Sequence, residues 1–311
     1  MKVLITGGSG FIGSHIVDNL VQNGHQVFVY DLPAVGNRFS DPNVAFIPGS
    51  ILDMETLRQA MVGVDAVYHL AAIADVKDVF EDPLYSEMVN VRGTINVLEA
   101  ARRCRVSRVI YGSTTWVYSE AEAEMVDEDT PLGSPKHLYT STKLTSEYYC
   151  IAYRELYGLE STVLRYGIPY GPRSRDAAVI PAFVSKALKG EPLTIAGDGS
   201  QFRQFVYVED LAEGNVLALK PAGANRTYNL DGAETITIKQ IAETIQKILG
   251  KVDIEYIEGR PGDFKGKVGL SKRAKDELGW EPKVSFEEGV RRYIDWYKTR
   301  ESDRASAKDS T

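Results

Sequence analysis

Residues 2–16 read Lys-Val-Leu-Ile-Thr-Gly-Gly-Ser-Gly-Phe-Ile-Gly-Ser-His-Ile. Val3-Leu4-Ile5 is a short apolar run of the kind that forms a buried parallel strand. Gly7, Gly10 and Gly13 follow at three-residue spacing, and an amphipathic helix opens behind them. In such a strand–loop–helix unit one glycine permits the tight turn. The second lets a pyrophosphate approach the backbone, and the third lets helix and strand pack closely. The first helical N–H groups then face the phosphates, and the helix dipole favours their charge.

The next stretches extend the same pattern. Ile16, Val17, Leu20 and Val21 share one helical face, and Gly24 is a C-terminal stop. Gln26–Tyr30 is a second strand, ending at Asp31, eighteen residues past Gly13. A carboxylate there accepts hydrogen bonds from both adenosine ribose hydroxyls and repels a 2′-phosphate, so NAD is expected over NADP. Phe46-Ile47, Ala66–Leu70, Val109–Tyr111 and Ser161–Leu164 are further strands. Asp53 caps a helix, and Asn90–Cys104 is a long helical pattern. The small pair Ala71-Ala72 would let a strand end lie against a flat cofactor. Alternating strands and helices predict an α/β fold, a Rossmann-type doubly wound parallel sheet. Ser119–Glu128 is acidic and reads as an exposed loop. Beyond Arg165 the prolines crowd together, and short strands separate helices near 180–189, 238–249 and 286–297. These form a smaller mixed C-terminal lobe.

Composition narrows the classes. The chain has 311 residues, 43% hydrophobic and 25% charged, with net charge −7 and no Lys/Arg stripe. Nucleic acid is not an expected partner. No apolar run nears the roughly 20 residues that span a bilayer. The first strand begins at once, which leaves no room for a signal peptide and predicts a cytoplasmic location. Cys104 and Cys150 read as reduced thiols. His15, His25, His69 and His137 have no ligand spacing, so no metal is expected.

Tyr139-Thr140-Ser141-Thr142-Lys143 places a tyrosine and a lysine four apart on one helical face. A tyrosine titrates near 10, too high for a base at neutral pH. A neighbouring ammonium and a positive nicotinamide both favour its phenolate. Such a tyrosine can take a proton from a sugar hydroxyl as hydride leaves the carbon. Ser113, Thr114 and Thr115 lie just past the fifth strand, where open α/β sheets bind ligands. Each has a hydroxyl able to bond the substrate oxygen.

Together these stretches resemble the extended short-chain dehydrogenases/reductases, in the nucleotide-sugar epimerase and dehydratase branch. The likeness runs to about Tyr297. It rests on Thr6–Gly13, His69–Ala72, Asn90–Thr94, Tyr139–Lys143, Leu164–Tyr166, Tyr170–Arg173, Gly197–Ser200, Tyr207–Asp210 and Leu278–Trp280. It implies Tyr139 as general base and acid, Lys143 as its ribose-binding partner, and Thr114 as the hydroxyl that holds the substrate oxygen. Cofactor contacts are implied at Gly7, Gly10, Phe11, Ile12, Gly13, Asp31, Ser50, Ile51, Leu70, Ala71, Ala72, Asn90, Tyr166 and Pro169, besides Tyr139 and Lys143. Arg203 and Arg260 fall where the family clamps a diphosphate, a role that suits guanidinium geometry. Asp263 joins them as a substrate-binding residue. A homodimer is implied through the helices that follow Asn90 and Tyr139.

Three departures qualify the likeness. Ser50 replaces an adenine-contacting Asp, and Ile168 replaces an Asn common before the cofactor-contacting proline. Thr115 and Trp116 stand where dehydratases carry Asp-Glu. These features imply an NAD-dependent epimerase that inverts C4 of a UDP-hexose or UDP-hexuronate through a 4-keto intermediate. The alternatives are a 4,6-dehydratase or 4-keto-sugar reductase on the same scaffold, or a non-catalytic NAD-binding regulator. The expected layout is an NAD-binding domain at 1–166 with a returning segment near 198–222. A substrate lobe takes 167–197 and 223–299, and a disordered tail takes 300–311.

Overall fold

The structure is a computed structural model and describes residues 1–250, 252–258 and 266–308. In chain order the strands are β1 (Lys2–Thr6), β2 (Gln26–Asp31), β3 (Val44–Pro48), β4 (Ala66–His69), β5 (Arg108–Thr114), β6 (Met125–Val126) and β7 (Glu160–Tyr166). They continue with β8 (Ile168–Tyr170), β9 (Leu193–Ala196), β10 (Phe202–Tyr207), β11 (Thr227–Leu230), β12 (Thr235–Thr237) and β13 (Ile254–Ile257). The α-helices are α1 (Phe11–Gln22), α2 (Met54–Ala60), α3 (Val76–Glu81), α4 (Pro83–Glu87) and α5 (Gly93–Cys104). After them come α6 (Leu138–Tyr157), α7 (Val179–Leu188), α8 (Val208–Leu217), α9 (Ile238–Leu249) and α10 (Phe286–Lys308).

The chain divides into two compact units. The first holds Met1–Gly167, Leu211–Leu230 and Gly269–Glu281. Its seven strands pair in the order β11-β7-β5-β4-β1-β2-β3, all parallel. The order reverses at β1, where the chain moves from one half of the sheet to the other. In open α/β sheets ligands bind at such a switch point, beyond the carboxyl ends of the strands. Val3, Leu4, Ile5, Val67 and Ile110 are fully buried, as continuous apolar runs in a sheet covered on both faces should be. The second unit holds Ile168–Asp210, Asp231–Val268 and Pro282–Thr311. Its core joins Phe183, Val184, Ile241, Ile245, Val290 and Tyr293 around β8, β10 and β12. A capping box between Thr237 and Gln240 starts α9.

Several expectations need correction. The segments returning to the first unit are Leu211–Leu230 and Gly269–Glu281, not 198–222. The reason is β11, which extends the parallel sheet beside β7. The last helix runs to Lys308, through the start of the expected tail. Arg300 holds it there, 3.1 Å from Asp176 and stacked over the Trp296 and Tyr297 rings. The helical run at Asn90 opens with a π-turn, Met88–Arg92, before α5. The acidic stretch 119–128 is exposed only in part: Ala121 and Val126 are buried, and the Glu128 side chain is 2% exposed. Glu128 turns inward because its carboxylate accepts the Asn229 backbone N–H at 2.6 Å.

Candidate active site

The glycine loop closes on itself. Gly7 has φ +74°, its N–H donates to the Tyr30 carbonyl, and Gly10 N–H donates to the Gly7 carbonyl at 3.1 Å. A Cβ on Gly13 would lie 2.3 Å from the Gly7 oxygen, and one on Gly7 would lie 2.7 Å from the Ala71 nitrogen. The loop therefore presses against both its own helix and the end of β4. The Asp31 carboxylate accepts the Ser9 N–H at 2.9 Å and the Leu32 N–H at 2.8 Å. The end of β2 is thus tied to the glycine loop. Ser9 Oγ is buried with no hydrogen-bond partner among the described residues. A buried hydroxyl without a partner is costly unless a ligand supplies one. The glycine cradle, the orphaned Ser9 hydroxyl and Asp31 suit the diphosphate and ribose of a dinucleotide.

The other expected cofactor residues take varied places. Ile51 is buried, and its carbonyl accepts from Asn96 at 2.9 Å. Ser50 Oγ accepts the Leu52 N–H, which rounds the turn before α2. Phe11 and Ile12 form the first turn of α1. Leu70 N–H donates to the Thr6 carbonyl at 3.0 Å, and Ala71-Ala72 follow at the end of β4. Asn90 spends its amide on the chain itself. It accepts the Ile73 N–H at 2.8 Å and donates to the Ile73 carbonyl at 2.9 Å and to Thr142 Oγ1 at 3.1 Å. It fixes the loop after β4 to α6. The Tyr166 hydroxyl turns inward to Asn215 at 2.6 Å.

Beneath these lies a buried polar chain. Thr94 Oγ1 donates to the Asn90 carbonyl at 2.6 Å, so at 2.9 Å it accepts from His69 Nε2. His69 Nδ1 then accepts from Thr6 Oγ1 at 2.8 Å. Burial, with the Lys143 charge beside it, lowers the His69 pKa to about 3. His69 is a neutral spacer that ties β1 and β4 to α5.

Thr114 ends β5, and its Oγ1 accepts the Trp116 N–H at 3.2 Å as the chain turns into a 3₁₀ segment. Its two neighbours are committed elsewhere. Ser113 Oγ donates to Glu147 at 2.5 Å, and Thr115 Oγ1 to the Tyr166 carbonyl at 3.2 Å. Of the three hydroxyls, Thr114 alone is bonded within its own turn. Helix α6 packs on β5 and on the 3₁₀ segment, and carries Tyr139 and Lys143. Lys143 is 4% exposed. Its Nζ donates to the Gly112 carbonyl at 2.8 Å, 5.0 Å from the centre of the Tyr111 ring and 5.9 Å from that of Tyr139. Burial lowers its pKa to about 8, against the pull of Glu147. Tyr139 itself is half-buried. Trp116 meets His137 edge to face at 5.6 Å.

The first unit thus brings Gly7–Gly13, Asp31, Ala71, Asn90, Thr114, Tyr139 and Lys143 to the carboxyl ends of one parallel sheet. Pro169 and Arg203 belong to the second unit. Pro169 pairs with Val206 and Arg203 with Ile236. Arg260 and Asp263 lie outside the described residues. The sequence reading passed over the buried acid and base behind Lys143. Glu147 and Arg165 pair at 2.7 Å with side chains 5% and 8% exposed. The signal was available: Glu147 is four residues past Lys143, on the Tyr139 face.

Comparison with known proteins bears on this arrangement. A putative UDP-glucose 4-epimerase of Methanocaldococcus jannaschii is 34% identical over 95% of this chain and 98% of its own. A UDP-N-acetyl-alpha-D-glucosaminuronate decarboxylase of Bacillus cytotoxicus is 33% identical over 97% and 99%. The crystal structure of UDP-glucuronic acid 4-epimerase from Bacillus cereus, in complex with UDP-glucuronic acid and NAD, superposes with TM-score 0.88 at 31% identity. That match covers 96% of this chain and 99% of the other. The relatives thus share a scaffold and differ in reaction. The sequence profile described as NAD dependent epimerase/dehydratase family matches residues 3–231, and the chain belongs to that family.

Proposed function

We propose that the chain is an NAD-dependent nucleotide-sugar 4-epimerase acting on a UDP-hexose or UDP-hexuronate. The observation that carries this reading is Lys143, buried beside the Tyr139 ring at the end of β5, with Thr114 at the same strand end. Gly7, Gly10, Gly13, Ser9 and Asp31 would hold NAD, and Lys143 its nicotinamide ribose. When bound, NAD supplies a hydride acceptor that returns what it takes.

Tyr139 removes the proton of the 4-hydroxyl and later gives it back. The Lys143 ammonium favours the phenolate that makes this possible at neutral pH. Thr114 bonds the oxygen as it becomes a carbonyl and holds it during inversion. By the family likeness Arg203 and Arg260 are assigned to the diphosphate, and Asp263 is assigned as a further substrate-binding residue. Elimination of the 6-hydroxyl would need a further acid and base. Thr115 and Trp116, at the positions that follow Thr114, offer a hydroxyl already bonded to Tyr166 and an indole. Neither exchanges protons readily near neutral pH.

The test is incubation with UDP-glucose, UDP-galactose and UDP-glucuronate without added reductant, followed by chromatography and mass measurement of the sugar. Interconversion of one C4 pair at unchanged mass is expected. Loss of water or of carbon dioxide, or a demand for stoichiometric NAD(P)H, would overturn the reading.

A further inference from the structure

Behind Lys143 lies a set of side chains to which the proposed chemistry gives no role. Ser113 on β5 and Arg165 on β7 are direct register partners, so they stand side by side beneath α6. Glu147 reaches down to both. It accepts from Ser113 Oγ at 2.5 Å, from Arg165 Nε at 3.1 Å and from Arg165 Nη2 at 2.7 Å. The second arm of the guanidinium donates to the Tyr118 hydroxyl at 2.6 Å, and Tyr118 donates to Asn229 at 2.8 Å. Every member of this set is buried. Ion pairs removed from water tend to cost more than they return unless their geometry is complete, and here it is. An arrangement that saturated asks for a purpose beyond stability.

The register supplies one. Lys143 donates to the carbonyl of Gly112, and the next residue of the strand, Ser113, donates to Glu147 one helical turn further along. Helix α6 is therefore fastened to β5 at two adjacent positions, and both fastenings fix where Lys143 Nζ sits. We propose that Glu147, held by Ser113 and Arg165, is the positioning residue of the Tyr139–Lys143 pair, and that one acid between two bases sets how readily Lys143 keeps its proton. The charge balance is direct. Glu147 raises the proton affinity of Lys143, and the Arg165 cation held on it by two hydrogen bonds offsets part of that effect. The other titratable groups facing Lys143 are Tyr139 and Cys150 on α6, Tyr111 on β5 and His69 on β4. Tyr111 and Cys150 are pushed far above their usual ranges by burial, and His69 is held neutral. Glu147 is then the anion that answers the buried ammonium.

This inference rests on the reading of Tyr139 and Lys143 given above, so its test is independent of turnover. The full chain is labelled with ¹³Cε-lysine, loaded with NAD, and titrated by NMR, the Lys143 resonance being assigned with Lys143→Arg. In Glu147→Gln the Lys143 midpoint should fall by about one pH unit or more, the scale of losing a near counter-charge. In Arg165→Gln it should rise, because the cation that offsets the acid is gone while the acid remains. Glu147→Asp and Arg165→Lys keep both charges and should titrate near the unaltered chain. Thr162→Val removes a buried hydrogen bond to the Gly223 carbonyl elsewhere on β7 and should leave the midpoint unmoved. Loosened packing alone would shift both charge variants the same way. The opposite signs are the mark of the charge balance, and if Arg165→Gln fails to fold the fall in Glu147→Gln suffices, since relief of burial would raise the midpoint instead. A midpoint within about 0.3 units of the unaltered chain in Glu147→Gln, or in a folded Arg165→Gln, overturns the proposal, being below any near-charge effect. If the midpoints move as expected and no nucleotide sugar is turned over, the balance stands and the proposed function falls.

Discussion

The side chain of Tyr139 decides the chemistry proposed for this chain. Tyr139→Phe keeps the ring and removes the acidic oxygen. Turnover should fall by ~10²-fold or more, the usual contribution of a general base, with NAD affinity nearly unchanged. Near-normal turnover would contradict the assignment. Asp31 gives a second test. It is proposed to bind the ribose and it holds the Ser9 N–H, so Asp31→Asn is the informative change. The amide oxygen can still accept from Ser9 while the charge is gone. NAD binding should weaken by about tenfold, the scale of one charged hydrogen bond, and the margin over NADP should narrow. Calorimetric titration of both cofactors checks it, and tighter NADP than NAD binding by the unaltered chain would refute it. These residues were legible because short-range spacing carries them. The spacing of Glu147 from Lys143 was legible too, but its pairing with Arg165 was not, since an arginine in a strand reads as a surface charge until the fold brings the two together.

Lys143 also carries a pH signature. Its folded pKa is lowered to about 8 from an ordinary 10.5. Between those values the unfolded chain binds the extra proton, so stability rises with pH through that window. Below about pH 8 both states are protonated and the full cost of the buried charge is present. The buried Tyr68 and Tyr111 have raised pKa values and act in the opposite sense at high pH. The clean observable is therefore the difference between the unaltered chain and Lys143→Met in denaturant titrations at pH 7 to 10.5. That difference should grow in favour of the unaltered chain, by on the order of 3 kcal/mol across the whole window. A flat difference would show that Lys143 titrates normally.

At the scale of elements, the glycine loop and its helix behave as one piece. Gly13→Ala places a methyl 2.3 Å from the Gly7 oxygen, so α1 must move away from β1. A loss of about 1–3 kcal/mol is expected from such overpacking. NAD affinity should fall with it, because the loop and the α1 N-terminus form the proposed phosphate seat. Denaturant melts and cofactor titration together check this, and a variant with unchanged affinity would separate loop from ligand. The elements of the parallel sheet were readable from their apolar runs and glycines. Their ends were not. β5 runs on to Thr114 and β7 to Tyr166 because each is paired along its length, and the buried polar side chains there, Ser113 and Arg165, are satisfied by Glu147 of α6. The π-turn at Met88–Arg92 was also hidden, since it leaves the hydrophobic period nearly intact while it aims Asn90 at Ile73.

At the scale of the whole molecule, the chain leaves the first unit after Gly167 and returns to it twice. Such excursions are invisible to local pattern, because β11 looks like any short apolar strand until it is seen to pair with β7. The family was nonetheless legible from motif order. The reaction is the part that scaffold alone does not fix, as the epimerases and the decarboxylase among the relatives show. Thr115 and Trp116 beside Thr114 speak against elimination of water, and epimerisation differs from decarboxylation in a product of unchanged mass whose hydride is taken and returned within one site. The most direct measurement is therefore isotopic. A UDP-hexose carrying deuterium at C4 is incubated with the protein and NAD but no reductant, and the C4 epimer is analysed by NMR and mass spectrometry. An epimer that retains its C4 deuterium at unchanged mass is expected. Deuterium lost to solvent, or a product lighter by water, would contradict it.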